Sequence, residues 1–146
     1  MKIAKQFRWE AAHRIPWHKG DCSNLHGHSY RMTVALEGTP NAQGMLVDFQ
    51  AVKDLLRPLV KSMDHAIIVA HDDHQLLNII AQTDWKHVVL PFDSTAENLA
   101  THVIDFFCKH KSDLPTHHTL TKVTVRIAET ETCYAEIERP LDYPSN

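Results

Sequence analysis

From Ile3 to His13 the chain alternates, with Phe7, Trp9, Ala11 and His13 on one side and Arg8, Glu10 and Ala12 on the other. That period of two is the signature of a half-buried strand. A longer run of the same kind spans His26 to Glu37, where His26, His28, Tyr30, Met32, Val34 and Leu36 share one parity. Between the two runs, Pro16, Lys19, Gly20 and Asp21 supply turn chemistry. After Gly38, Pro40, Asn41 and Gly44, Asp48 is a plausible N-cap for a helix carrying Val52, Leu55, Leu56, Leu59, Val60 and Met63. Pro58 lies inside that pattern and predicts one bent helix ending just before Asp64. Ala66 to Val69 is a continuous apolar run, 72–80 suits a short helix, and Val88 to Leu90 reads as a small strand or an extended run.

Ser94-Thr95-Ala96-Glu97 reads as a capping box with Ser94 at the N-cap. It opens a second main helix whose buried stripe is Leu99, Val103, Ile104, Phe106 and Phe107. Two further strands are expected at Leu120 to Glu129 and at Thr132 to Glu138, followed by a loose tail from Arg139 to Asn146. Strands and helices come in runs rather than in strict alternation. The expectation is one α+β domain over 1–146 with an antiparallel sheet.

Composition changes this picture little. A chain of 146 residues with 43% hydrophobic content can bury a real core. A formal charge of −3 gives no reason to expect nucleic acid or an anionic membrane as partner. Three cysteines, Cys22, Cys108 and Cys133, make no disulfide framework and fit a reducing compartment. Cys108 and Cys133 read as small core or near-core residues. With no long apolar run and no apolar signal region, a cytoplasmic address is expected.

The twelve histidines do change the picture. His26 and His28 point the same way from one strand, with roots under ~7 Å apart at the usual strand rise. His13 ends a matching face, so a hairpin pairing would bring three imidazoles together. A catalytic zinc site takes three protein ligands and leaves one position open. Gly27 between the two histidines allows a close backbone approach. Cys22 arrives by a short polar turn, beside the ion rather than on it. His71 and His74, among Asp72 and Asp73, and His117-His118 after Pro115 read as solvated instead.

Two more positions carry potential chemistry. Asp64-His65 is either a carboxylate-oriented imidazole or a polar pair at a helix end. Glu129 continues the face of Val123, Val125 and Ile127. It is either solvated where the strand stops or a buried carboxylate facing a ligand edge with two adjacent N–H donors, as pterin and guanine rings have.

Taken together, these pieces resemble the 6-pyruvoyl-tetrahydropterin synthase superfamily. The matching stretches are Phe7 with Ala11-Ala12-His13, Cys22 through Tyr30, Gly44 through Phe49, Asp64-His65, Thr95-Ala96-Glu97-Asn98, and Glu129-Thr130. The three residues between Cys22 and His26 are similar to the bacterial 6-carboxytetrahydropterin synthases. Met63 stands where leucine is usual, Ser94 where proline is common, and 66–93 is long and matches poorly.

The resemblance implies the tunnelling fold (T-fold): a four-stranded antiparallel sheet with two helices packed on one face, three sheets closing a barrel and two trimers stacking into a homo-hexamer. It implies zinc on His13, His26 and His28, with Cys22 as catalytic thiol and Asp64 and His65 as a relay. It implies Glu129 as pterin anchor, with Thr95 and Thr130 nearby. The implied reaction converts 7,8-dihydroneopterin triphosphate to 6-carboxy-5,6,7,8-tetrahydropterin, acetaldehyde and triphosphate. A sibling reaction stops at 6-pyruvoyl-tetrahydropterin. Arg14, Lys19 and Arg31 are candidate cations for the triphosphate. Other classes remain open on the residues alone: a hydrolase with Cys22, His65 and Asp64 as its triad, or a non-enzymatic metal-binding protein.

Overall fold

Two alternating runs folded back on each other form the centre of the molecule. The computed structural model describes residues 1–141, the side chain of His118 excepted. β1 (Lys2–His13) and β2 (His26–Gly38) pair antiparallel, in register from Lys2 opposite Glu37 to His13 opposite His26. Then come α1 (Phe49–Met63), β3 (Ala66–Ala70), α2 (His74–Ile80), β4 (His87–Leu90), α3 (Ala96–His110), β5 (Leu120–Ala128) and β6 (Tyr134–Pro140). The sheet order is β4-β3-β1-β2-β5-β6.

The α+β class and the four antiparallel strands are as expected, but the sheet has six strands and there are three helices. β3 joins β1 in parallel from Ala11 opposite Ala66 to His13 opposite Ile68, and β4 joins β3 in parallel. The reason lies in the run Ala66-Ile67-Ile68-Val69-Ala70, buried at every position. A parallel strand covered on both faces shows no alternation, so its pattern is a continuous apolar run. Ile68 joins the main core, whereas Ile67 and Val69 pack against Leu76 and Ile80 of α2 on the other face.

The main core lies between the sheet and the helix pair α1 and α3. Trp9, Tyr30, Met32, Val34, Leu36, Val123, Val125 and Ile127 meet Val52, Leu56 and Met63 from α1 and Leu99, Val103, Ile104 and Phe107 from α3. α1 is one helix with Asp48 as its N-cap, the carboxylate accepting from the Gln50 N–H at 2.8 Å. It runs through Pro58 on the exposed side, where water can serve the carbonyl that proline leaves without a donor.

Three local expectations are corrected. The N-cap of α3 is Thr95, whose hydroxyl accepts from the Asn98 N–H at 3.2 Å, while Ser94 is buried for another purpose. Cys133 is exposed in the β5–β6 turn, because the last strand starts at Tyr134, two residues after the expected Thr132; Cys108 is half-buried, as expected. Arg139 and Pro140 belong to β6 and Leu141 is buried, so only 142–146 of the expected tail lie outside the described residues. No described helix is long and apolar enough to cross a membrane.

The added β3-α2-β4 unit is fastened to the β1 end by Arg14. Its guanidinium donates to both oxygens of Asp73 at 2.7 and 2.6 Å, and Asp73 also accepts from the Leu76 N–H at the start of α2. Arg14 holds the Asp73 carboxyl below its ordinary 3.8. The stabilisation is therefore present above that value and is lost as pH falls below it. Asp73→Ala leaves a largely buried guanidinium without its carboxylate, with Gln75 Oε1 at 3.0 Å as its remaining acceptor, and is expected to cost about 2–4 kcal/mol, read as a shift in the urea midpoint at pH 7. The difference from wild type should shrink as pH drops below 3.8.

Candidate metal centre

The β1–β2 register sets His13 directly across from His26, and the two-residue period puts His28 on the same side. The three rings pack with centroids 4.7 Å (His13–His26), 5.1 Å (His13–His28) and 4.8 Å (His26–His28) apart. Their ligand nitrogens all lie within 4.8 Å of one another, the one such group of three found among the described residues. Beneath them Tyr30 stacks on Trp9, centroids 5.2 Å apart and planes within 7°.

Outer contacts fix which nitrogen faces the centre. His13 Nδ1 donates to the Ser94 carbonyl at 2.8 Å, with the Ser94 hydroxyl at 3.2 Å. His26 Nδ1 donates to the Asn24 carbonyl at 2.8 Å. A carbonyl can only accept, so each ring carries its proton on Nδ1 and presents the Nε2 lone pair inward. His26 Nε2 and His28 Nε2 are 3.1 Å apart, and His13 Nε2 is buried with no hydrogen-bond partner. An orphaned, buried lone pair beside two more imidazole nitrogens is what a zinc-type ion requires. Tetrahedral bonds of about 2.0–2.1 Å set ligand nitrogens roughly 3.3 Å apart. The residues fit a metal ion.

Electrostatics favour the ligand form. Burial pushes His13 down to about 4, against the pull of the Ser94 carbonyl, and the charges of His26 and His28 add to the depression. His28 is lowered too, by burial and then by His26.

A cleft of about 290 Å³, lined by Trp17, Thr95, Glu97, Glu129 and Tyr134, among others, adjoins the centre through Glu129. Glu129 follows β5 directly and is not a solvated strand end: its Oε1 lies 3.7 Å from His13 Nε2 and accepts from the Tyr30 hydroxyl at 3.5 Å. Burial, with the charge of Glu97, pushes its carboxyl above the ordinary range. Tyr30 is pushed up by burial and by Glu129, so it stays a donor. Thr95 borders this cleft. Thr130 does not: its hydroxyl accepts from the Cys133 and Thr132 N–H groups and shapes the turn.

A second cleft, of about 530 Å³, is bordered by Glu10, Ala12, Gly27, His28, His65 and Lys86. Asp64 and His65 do form a dyad, Nδ1 to Oδ1 2.9 Å, because His65 takes a left-handed backbone (φ 54°) that turns its ring back onto its neighbour. The Glu10 N–H first, then His65 and Lys86, hold the Asp64 carboxyl below its ordinary range. Gly27 is not forced by crowding, since a Cβ there would meet the Ala11 carbonyl at an ordinary 3.4 Å. Instead it leaves the wall of this cleft bare.

Cys22 sits half-buried in a single 3-10 turn, Asp21–Ser23, tied to the segment just after β1 by the Ile15 N–H donating to its carbonyl at 2.8 Å. Of the candidate cations, Arg14 is committed to Asp73, Arg31 faces Glu131 at 3.4 Å, and Lys19 is exposed. His71 and His74 are exposed, as expected. Sequence reasoning missed Ser94 as the support of His13 and took Tyr30 for core alone. For Tyr30 the signal was there, since it shares the parity of His28 and carries a hydroxyl.

A model of the 6-pyruvoyl tetrahydropterin synthase family matches residues 2–140. The chain is 30% identical over 145 residues to 6-carboxy-5,6,7,8-tetrahydropterin synthase of Haemophilus influenzae, covering 94% of this chain and 98% of that one. It is 32% identical over 156 residues to the protein of the same name from Aquifex aeolicus, covering 92% and 96%. In fold it is similar to 6-pyruvoyl tetrahydropterin synthase of Plasmodium vivax, with TM-score 0.73, 19% identity, and 96% and 99% of the two chains covered.

Metal-free protein offers a direct test of the buried imidazole. His13 titrates at about 4 when folded, against an ordinary 6.5. Its contribution to stability is whole above 6.5, declines as pH falls through the window and is gone below 4. The expected loss is about 3 kcal/mol. Urea unfolding across this range should show it in wild type, with a shallower slope in His13→Asn.

Proposed function

The chain belongs to the 6-pyruvoyl tetrahydropterin synthase family, and from that premise we propose a zinc-dependent lyase, a 6-carboxytetrahydropterin synthase. It converts 7,8-dihydroneopterin triphosphate, with water, to 6-carboxy-5,6,7,8-tetrahydropterin, acetaldehyde and triphosphate, a step toward queuosine and related deazapurines. The observation that carries the reading is the 3.7 Å approach of the Glu129 carboxylate to His13 Nε2. It places a group suited to a pterin edge beside three converging imidazole nitrogens.

In this reading His13, His26 and His28 hold zinc, which supplies Lewis acidity that favours negative charge on the substrate's side-chain oxygens and acidifies the neighbouring C–H. Glu129 accepts from two adjacent ring N–H groups, and Thr95 borders the same cleft. Ring binding thus satisfies a carboxylate that burial otherwise disfavours and fixes the substrate side chain over the centre. Cys22, as thiolate, takes the acidified proton. His65, oriented by Asp64, moves a proton to or from the departing fragment.

The same reading includes a homo-hexamer built as a dimer of trimers. β1 has no outer partner strand along residues 2–10 among the described residues, and β6 has one open edge, so both can pair with a neighbouring copy. The His65 side chain is 77% exposed, which leaves its imidazole free to serve a neighbour's site.

Incubation with 7,8-dihydroneopterin triphosphate should yield the carboxy product and acetaldehyde by mass spectrometry, and a chelator should abolish turnover. Cys22→Ala should keep one zinc per chain and lose turnover by at least about a hundredfold. A pyruvoyl product without acetaldehyde would assign the sibling reaction instead. Turnover that survives chelation would point to a cysteine hydrolase.

A further inference from the structure

Lys86 stands just before β4, in the stretch 66–93 that matches the family pattern poorly. Its ammonium donates to two carbonyls, Lys61 at 2.7 Å and Asp64 at 2.6 Å. Lys61 lies in the last turn of α1, where carbonyls lack intrahelical donors and a cation meets the negative end of the helix dipole.

The Asp64 carbonyl is the more telling partner. It belongs to the peptide that enters His65, the one non-glycine residue with positive φ among the described residues. The other end of that peptide, the His65 N–H, donates to the Glu10 carbonyl at 2.6 Å. One peptide plane is therefore held at both ends, by Lys86 from the α1 side and by Glu10 from β1. The Lys86 carbonyl in turn accepts from the Ile67 N–H at 2.9 Å, so the clamp is anchored to the strand that follows the dyad. A left-handed backbone is disfavoured for any residue with a Cβ. Without the clamp, α1 holds this corner only one peptide earlier, through the Asp64 N–H on the Val60 carbonyl at 2.9 Å, and the Asp64 carbonyl is left without its partner.

We propose that Lys86 is a positioning residue for the Asp64–His65 dyad, clamping the peptide between them so that His65 Nδ1 stays on the Asp64 carboxylate. This rests on the reading of that dyad as part of the working site. Lys86 is exposed, so water can replace its two hydrogen bonds when it is removed. Its loss therefore leaves the fold intact and frees only the orientation of the peptide.

The test compares Lys86→Met, Lys86→Arg and His65→Ala with wild type, using 7,8-dihydroneopterin triphosphate as substrate. Lys86→Met should lower kcat about tenfold or more, with KM within about twofold and zinc content unchanged. Lys86→Arg, which can still donate to both carbonyls, should recover most of the loss. A second readout needs no turnover. In ¹⁵N spectra of metal-free protein, the His65 proton should sit on Nδ1 in wild type and Lys86→Arg, and should be shared between tautomers in Lys86→Met. Should Lys86→Met not fold, Lys86→Gln takes its place in both readouts.

An unchanged tautomer together with an unchanged kcat in Lys86→Met, while His65→Ala is impaired, would overturn the proposal. If His65→Ala itself turns over like wild type, the dyad's role is what falls, and the tautomer measurement still decides whether Lys86 clamps it.

Discussion

The structure depends on the register of β1 against β2. A slip of one residue would turn every side chain of a strand to the opposite face. Here that would carry His26 and His28 away from His13, and Tyr30, Met32, Val34 and Leu36 out of the core. Because the imidazoles and the apolar stripe share one parity, the burial that stabilises the sheet also brings the three imidazoles together. The site needs no separate folding decision.

On that frame each histidine is held differently. His13 lies at the end of the buried face, 1% exposed, and is backed by the Ser94 carbonyl just before α3. Burial keeps it neutral, as a ligand must be. His26 is set by its own turn through Asn24, and His28 borders the larger cleft. Two clefts border these residues. One offers Glu129 and Thr95 beside His13; the other offers the Asp64–His65 dyad beside His28. The β3-α2-β4 unit, which looks like an insertion, is tied by Arg14 to the β1 end and by Lys86 to the dyad.

Much of this was legible in the residues. Alternation located β1, β2, β5 and β6, helical spacing located α1 and α3, and matching parity brought His13 to His26 and His28. β3 escaped because a strand buried on both faces has no alternation to read. α2 was seen only as a short helix, and its place on the far face followed from Ile67 and Val69 rather than from its own seven residues. Ser94 reads as a helix cap because Ser-x-x-Glu and Thr-x-x-Asn are offset by only one residue. Its actual partner, His13, is 81 residues away, and no local pattern encodes such a contact. The Asp64–His65 hydrogen bond was hidden for a related reason: it depends on a positive φ that tertiary contacts impose.

Three imidazoles, and not the Cys22 thiol, are expected to hold the ion. X-ray absorption at the zinc edge on the zinc-loaded protein tests it directly. The expected spectrum has about three imidazole nitrogens at roughly 2.0–2.1 Å, with a light-atom fourth neighbour and no sulfur. A sulfur shell near 2.3 Å, or a spectrum with fewer than three imidazoles, would contradict it.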